Sequence, residues 1–305
     1  MSTAVLLMAY GSPRSLDEVE PYYTEIRGGR APSAGALADL RARYERIGGG
    51  SPLTEITRRQ AAALQGVLDA ASPGAYRTYV GMKHWHPFIR EAVAEIRADG
   101  AERVIGLVLA PHFSRISIGG YALRLHAARE AVEGKFEVRM IPSWYADPGF
   151  VAFAARNLRR ALDGWNAADP KLRVLFTAHS LPARILDEAD PYRDQLLDSS
   201  RLVAETAGTP HWELAFQSAS HTGEPWLGPD VLDRLDAFAG EGGHHVVVAP
   251  IGFVADHLEV LYDVDVECAE RAAKLGLELR RVDSPNDDPD FIQTLAVIVR
   301  EGLSG

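Results

Sequence analysis

The sequence predicts a doubly wound α/β fold built from two similar halves. Short aliphatic or β-branched runs alternate with amphipathic stretches over all 305 residues. Such alternation is typical of parallel sheets that are covered by helices on both faces. A weak internal repeat divides the pattern into two copies, and the length fits about two domains. Together these observations favour two parallel sheets, each flanked by helices.

Eight strand candidates share a short apolar run that ends in a turn or in polar residues. They are Val5–Ala9, Arg77–Met82, Val104–Ala110, Glu137–Pro142, Arg173–Ala178, Trp212–Ser218, His245–Pro250 and Glu278–Val282. Between them, stretches such as Phe88–Asp99 and Phe150–Leu162 carry apolar residues at helical spacing. The order of these elements supports the α/β prediction.

The internal repeat rests on two matches that occur in the same order in each half. Leu6–Pro13 resembles Leu175–Pro182, because in both an apolar strand ends in alanine, a ring-bearing polar residue and a proline-containing turn. Leu109–Phe113 then resembles Val248–Phe253. We therefore expect a first domain over residues 1–145 and a second over 146–285. A C-terminal helix at about 286–305 is expected to pack back on the first domain.

The repeat also indicates where a ligand would bind. In doubly wound sheets the ligand lies beyond the carboxyl ends of the strands. The repeat assigns Tyr10 and His179 to these ends, one in each half. An imidazole there can accept a proton near neutral pH or bind a metal. The alternative is that His179 is a hydrogen-bonded structural residue and that Tyr10 is an ordinary packed tyrosine.

Composition excludes several other classes of protein. The net charge of -10 disfavours a nucleic-acid partner, which would need a basic face. A single cysteine, Cys268, excludes an intrachain disulfide and any cluster held by several thiolates. The N-terminus lacks the features of a signal peptide, and the longest uncharged apolar stretch, Val246–Ala255, is too short to span a bilayer. We expect a cytoplasmic protein that is not an integral membrane protein.

The strongest local signal is an acidic segment with the sequence Ala255–Glu267. Glu259, Asp263 and Glu267 are spaced i, i+4 and i+8, so in an α-helix they would form one row about 12 Å long. Like charges at this spacing weaken a helix slightly. A row of carboxylates attracts a divalent cation. The alternative is an ordinary solvated acidic face.

A third cluster is basic and rich in glycine. It contains Arg27–Arg30, Arg41, Arg43–Arg46 and the turn Gly48–Pro52. Arginine forks bind carboxylates in a bidentate way, so the cluster suits a ligand with several carboxylates. A phosphate cradle would be an alternative, although the chain lacks a Walker lysine and a G-x-G-x-x-G turn after a strand. Pairing of charges on helix surfaces would account for several of these arginines.

These stretches resemble the ferrochelatase family, and most closely its bacterial coproporphyrin ferrochelatases. The matching segments are Leu7–Gly11, Tyr44–Gly49 with Ser51–Leu53, Leu109–Ser114, Thr177–Pro182, Pro225–Pro229 and Gly252–Asp263. They follow one another in family order across essentially the whole chain. The resemblance implies two Rossmann-like domains of the chelatase type with a porphyrin cleft between them.

The resemblance also implies an activity and a set of site residues. Fe(II) is inserted into coproporphyrin III to give iron coproporphyrin (coproheme) in haem biosynthesis, with release of two protons. His179 and Glu259 take the positions of the family's catalytic and metal-binding pair, and the acidic ridge continues to Asp263 and Glu267. Tyr10 takes the place of the tyrosine that lies over the opposite porphyrin face and ligates the product iron. The remaining implied porphyrin contacts are Ser12, Arg27, Arg43, Tyr44 and Ser51.

Partners and cofactors follow from the same resemblance. We expect catalysis without a cofactor, iron as substrate, a regulatory divalent metal at the acidic helix and no iron–sulfur cluster. The expected partners are coproporphyrin III, Fe(II) and, transiently, a downstream coproheme decarboxylase, and the chain is expected to be a monomer. A protoporphyrin IX ferrochelatase, a chelatase for another metal or tetrapyrrole, and a non-catalytic tetrapyrrole carrier remain as alternatives.

Overall fold

The protein consists of two compact units, each of which contains one parallel sheet. We describe it from a computed structural model that covers residues 3–220 and 223–304. The first unit runs to Trp144 and takes in Ala255–His257 and the chain from Asn286 onward. The second unit comprises Tyr145–Val254 and Leu258–Pro285. The chain therefore leaves the second unit twice.

All eight predicted strands are present, with ends that differ from the prediction by at most two residues. They are β1 (Thr3–Ala9), β2 (Tyr76–Met82), β3 (Arg103–Val108), β4 (Glu137–Ile141), β5 (Leu172–His179), β6 (Trp212–Gln217), β7 (His245–Ala249) and β8 (Glu278–Arg281). The strand order is β2-β1-β3-β4 in the first unit and β6-β5-β7-β8 in the second, and every pairing is parallel.

Helices connect the strands in both units. They are α1 (Val19–Ile26), α2 (Ala34–Arg46), α3 (Leu53–Ala71), α4 (Ile89–Ala98), α5 (Ile118–Ala131), α6 (Pro148–Ala161), α7 (Tyr192–Ala207), α8 (Val231–Gly240), α9 (Leu258–Leu261), α10 (Ala269–Leu275) and α11 (Pro289–Ser304). A π-helical segment, Asp263–Cys268, lies between α9 and α10. Among residues 3–220 and 223–304, none of the helices has both the length and the apolar character needed to cross a membrane.

The central strands explain why the sheets form. Every residue of β1 is buried, as expected for a parallel strand covered on both faces. In the second unit, β5 is buried except at Arg173 and at its last residue, His179. Local signals fix the helix ends: the Asp147 carboxylate accepts the Phe150 N–H at the start of α6, and α7 ends at Gly208 with φ of 80°.

The strand registers support the internal repeat and correct one of its two matches. β1 and β5 occupy the same place in their sheets, so Tyr10 and His179 follow equivalent alanines. In the second match the sequence aligns Ala110 with Ala249. The register instead pairs Leu7 with Leu107 and its repeat mate Phe176 with Ala249. The second alignment is therefore wrong by three residues. The similar turn sequences lie at different distances from the first residues of β3 and β7.

The two units share one feature that the sequence comparison missed. At the end of β2, the Met82 N–H donates to the carbonyl of Pro87 in the following loop. At the end of β6, the Phe216 N–H donates to the carbonyl of Pro229 in the following loop. Both prolines follow a cis peptide bond, and α4 or α8 begins two residues later. The loops after these strands are therefore built in the same way in both units.

Candidate functional site

The carboxyl end of β5 carries a histidine–carboxylate pair. His179 is the last residue of β5, and Glu259 lies in the short helix α9. Nδ1 of His179 lies 2.8 Å from Oε2 of Glu259. An ionised carboxylate only accepts hydrogen bonds, so Nδ1 carries the proton and Nε2 is left to accept one. This geometry fixes the ring tautomer needed by a base.

The surroundings raise the pKa of His179 above its ordinary value of 6.5. Burial acts in the opposite direction, because it disfavours the charged imidazolium. The charge of Glu259, its hydrogen bond and the more distant charge of Asp263 outweigh burial. His179 is thus a stronger base than a free imidazole and is charge-balanced when protonated.

The main chain around His179 is held by two buried hydroxyl groups. Tyr192 donates its hydroxyl to the His179 carbonyl at 2.9 Å. Ser180 donates its Oγ–H to the Leu227 carbonyl at 2.7 Å. The Trp226 ring lies edge-on to the imidazole with centroids 6.4 Å apart. Sequence analysis missed Tyr192, although it follows the same strand as His179.

The predicted α-helical row of three carboxylates is wrong in its geometry. Tyr262 accepts hydrogen bonds from both the Val266 and the Glu267 N–H groups, and the latter is a π-type contact. The extra residue per turn rotates the segment Asp263–Cys268 relative to α9. Asp263 is 5% exposed, whereas Glu267 is half-buried.

The Asp263 carboxylate is held by the end of β6. Ser218 donates its Oγ–H to Oδ2 of Asp263, and the Gln217 side-chain amide approaches the same oxygen at 3.4 Å. The same Gln217 amide donates to the Glu259 carbonyl at 2.5 Å. Asp263 is therefore not part of an ordinary solvated acidic face. Gln217 and Ser218 were not predicted as site residues, because polar residues at the end of a strand are common.

The roles of Asp263, Glu267 and Tyr10 as metal ligands stay predictions. Within the described ranges, no three His, Cys, Asp or Glu side chains are grouped closely enough to hold a metal ion. Cys268 is buried against Val264 and other core residues, and burial raises the pKa of its thiol. His179 and Glu259, which lie 2.8 Å apart at the end of β5, could offer an imidazole and a carboxylate to an incoming cation.

In the first unit, the corresponding strand end presents Tyr10. The tyrosine follows β1 directly, and 42% of it is exposed. Its ring lies against His84 with centroids 4.6 Å apart. The His84 N–H donates to the Tyr10 carbonyl at 2.9 Å, which extends the β1–β2 pairing by one step. Tyr10 is therefore held on a rigid strand end with a large accessible surface.

The structure brings Ser12 and Ser51 to the same end of the first sheet. The Ser51 N–H donates to the Pro13 carbonyl at 2.9 Å, and its Oγ accepts the Leu53 N–H at the start of α3. Ser12 is 3% exposed, and its Oγ has no hydrogen-bond partner among the described residues. The turn that carries Ser51 is therefore fastened to the loop that carries Ser12.

The predicted arginines lie at the ends of two packed helices. Arg27 follows α1, is exposed and lies 5.8 Å from the Tyr23 ring centroid. Arg43 and Tyr44 belong to the last turn of α2, where Arg43 is half-buried and Tyr44 is buried. α1 and α2 contact each other. Arg27 and Arg43 therefore belong to two helices that pack on each other in the first unit.

A second pair of cations in the first unit, Lys83 and Arg124, was not predicted. Lys83 and Arg124 repel each other, and burial together with that repulsion lowers the pKa of Lys83 to about 8. Burial and the same two cations lower the pKa of His84 to about 3. The Lys83 ammonium lies 5.0 Å from the Tyr121 ring centroid. Its position directly after β2 was the signal that could have identified it.

Comparison with known proteins now identifies the family. The family model described as ferrochelatase matches residues 2–303. The chain belongs to the ferrochelatase family. It is 49% identical over 298 residues to a ferrochelatase of Herpetosiphon aurantiacus, with 97% of this chain and 98% of that protein covered. It is 42% identical over 302 residues to a coproporphyrin III ferrochelatase of Halalkalibacterium halodurans, covering 98% and 97%.

Solved structures support the chelatase-type fold of this family member. SirB from Bacillus subtilis with Fe3+ has a TM-score of 0.62 and 12% identity, and the match covers 99% of this chain and 96% of that one. CbiX, described as the terminal enzyme for biosynthesis of sirohaem in denitrifying bacteria, has a TM-score of 0.56 and 12% identity, with 99% of each chain covered. The two Rossmann-like sheets are therefore the chelatase architecture.

Proposed function

We propose that the protein inserts Fe(II) into coproporphyrin III, giving iron coproporphyrin and releasing two protons. The observation that carries the proposal is the His179–Glu259 pair at the end of β5, in a chain of the ferrochelatase family. Iron is a substrate in this reaction rather than a resident cofactor. Each step of the proposed reaction uses a side chain of this protein.

His179 acts as the base. A free-base porphyrin must lose both pyrrole protons as the metal enters, and a base within reach typically contributes 10²- to 10⁴-fold. With Nδ1 committed to Glu259, Nε2 of His179 accepts a pyrrole proton, and Glu259 balances the imidazolium that forms. Deprotonation of Nε2 by solvent then resets the pair for the second proton.

The same pair can also ligate the incoming Fe(II). Fe(II) accepts imidazole and carboxylate ligands, so His179 and Glu259 can replace part of its water shell. The proposal assigns two protein ligands to the ion, His179 and Glu259. Weak binding of this kind suits a metal ion that must be transferred to the porphyrin.

Substrate choice is assigned to the first unit. Coproporphyrin carries four propionates, and the unit offers Arg27, Arg43 and the buried Ser12 hydroxyl as groups that bind carboxylates. Tyr10 offers a phenol oxygen for the product iron. In support of this choice, relatives such as the Halalkalibacterium halodurans protein carry the name coproporphyrin III ferrochelatase.

The deciding experiment compares two porphyrins under anaerobic conditions. Fe(II) insertion into coproporphyrin III and into protoporphyrin IX is followed through the change of the Soret band. We expect coproporphyrin to be metallated at least about tenfold faster, since two additional charge-assisted contacts are available to it. Equal rates would remove the coproporphyrin assignment, and a faster reaction with protoporphyrin would reverse it.

A variant separates an enzyme from a tetrapyrrole carrier. His179→Ala should lose at least about 10²-fold in insertion rate while porphyrin binding, followed by fluorescence quenching, persists. The matched control is His211→Ala, a half-buried histidine of the same unit whose Nε2 lies 3.3 Å from the Ala168 carbonyl. Wild-type insertion by His179→Ala would contradict the assignment of the base.

A further inference from the structure

Two loops of the first unit are joined by one carboxylate. Glu18, in the loop after β1, accepts the Arg14 N–H at 2.9 Å and the Arg14 guanidinium at 2.5 Å. The same carboxylate accepts the indole N–H of Trp85 at 2.8 Å, and Trp85 belongs to the loop after β2. Glu18 thus links the loop that carries Tyr10 and Ser12 to its neighbour.

Trp85 in turn fixes the main chain between Tyr10 and Ser12. Gly11 has φ of 89°, and a Cβ at this position would lie 2.9 Å from the main-chain nitrogen of Trp85 and 3.1 Å from its Cβ. Tyr22 donates its hydroxyl to the Gly11 carbonyl at 3.1 Å, and its ring meets the Trp85 ring edge-on at 6.0 Å. Any displacement of Trp85 would therefore change the position of the Gly11 main chain.

The turn that carries Ser51 is fastened to the same loop. A Cβ on Gly50 would lie 2.2 Å from the Arg14 carbonyl oxygen, so the two main chains are in direct contact. The adjacent Ser51 N–H donates to the Pro13 carbonyl. Because Arg14 is held by Glu18, all three segments depend on one carboxylate.

We propose that Glu18 and Trp85 are positioning residues, whose hydrogen bond holds Tyr10, Ser12 and Ser51 in the arrangement that binds the porphyrin. The proposal rests on the proposed function, since it concerns the same site. Neither side chain is assigned a contact with the substrate. The Arg14 hydrogen bonds keep the pKa of Glu18 at about 2, so the carboxylate stays ionised wherever the protein is folded and active.

The test uses Trp85→Phe, which removes the indole donor and keeps an aromatic ring against Tyr22. Its matched control is Tyr79→Phe, which removes a hydroxyl that donates to Asp99 at 2.7 Å elsewhere in the same unit. Both lose one hydrogen bond to a carboxylate and should lose similar stability. We expect the coproporphyrin Kd to rise about five- to tenfold in Trp85→Phe alone. The insertion rate at saturating porphyrin should change less than about twofold, because the base lies in the second unit.

A double-mutant cycle with Glu18→Gln supplies the second readout. If the two residues act through one hydrogen bond, the double variant should bind coproporphyrin no more weakly than the worse single variant. Additive losses, or a Trp85→Phe Kd equal to that of Tyr79→Phe, would overturn the positioning role while leaving the proposed function intact. If the wild type binds no coproporphyrin at all, both proposals fail together.

Discussion

His179 illustrates how one side-chain contact determines a chemical role. The imidazole alone could be an acid, a base or a ligand. The bond from Nδ1 to Glu259 restricts it to a base whose free nitrogen is Nε2. The strand end was readable from the sequence, but the partner lies 80 residues away and its orientation depends on the fold of α9.

The raised pKa of His179 predicts a shifted pH profile for Glu259→Gln. The neutral imidazole is the active base, so kcat/KM rises as the pH passes upward through the His179 pKa. Glu259 raises that pKa; removing its charge therefore moves the rising limb to lower pH, while the maximum rate falls. The profile is measured between about pH 5 and 9. The matched control is Glu278→Gln, which alters an exposed carboxylate 3.5 Å from His245 and should leave the limb in place.

Tyr10 predicts a spectroscopic signature of the product. A metal cation at bonding distance lowers the pKa of a phenol from about 10, so ferric product should bind tyrosinate. Tyr10→Phe keeps a ring against His84 and removes the oxygen, and the charge-transfer band of the ferric complex should disappear with smaller effects on insertion. Tyr76→Phe, at the other end of the same sheet, should retain the band. An unchanged spectrum in Tyr10→Phe would mean that Tyr10 only packs on the ring.

At the scale of elements, the strands could be predicted from the sequence, but the helix type of the acidic segment could not. Continuous apolar runs such as β1 leave little choice of structure, because both faces must be covered. In the π-helical turn the Glu267 N–H reaches the Tyr262 carbonyl, and Asp263 is held by Ser218 at the end of β6. The i, i+4 spacing by itself predicts a regular helix and therefore the wrong face for Asp263.

This difference predicts opposite behaviour for two acidic residues. Simple repulsion between like charges would make Asp263→Asn and Glu267→Gln both slightly stabilising. Asp263 is buried and accepts from Ser218, so an asparagine amide facing these donors should cost about 1–3 kcal/mol of unfolding free energy. Glu267→Gln should change it by less than about 0.5 kcal/mol. Denaturant unfolding measures both, and equal effects would refute the inward orientation of Asp263.

At the scale of the whole molecule, the internal repeat explains the two similar sheets. Two segments from later in the chain, Ala255–His257 and the residues from Asn286 onward, complete the first unit. The identical strand orders could be anticipated from matching strand ends in the two halves. The return of Ala255–His257 to the first unit could not, since it depends on paired hydrogen bonds between Asp256 and Asn286 at 2.8 and 2.9 Å. No local pattern of either segment indicates such a pairing.

The last helix should therefore stabilise the first unit in particular. α11 packs against α3, β3 and β4, and Leu295 on its inner face is fully buried, whereas Val297 is 38% exposed. Leu295→Ala should cost about 2–5 kcal/mol through the cavity it leaves, and Val297→Ala less than about 0.5 kcal/mol. Native-state hydrogen exchange should show the larger loss of amide protection in β1–β4 rather than in β5–β8. Equal losses in both sheets would mean that the two units unfold as one, and no loss would mean that α11 contributes little to the first.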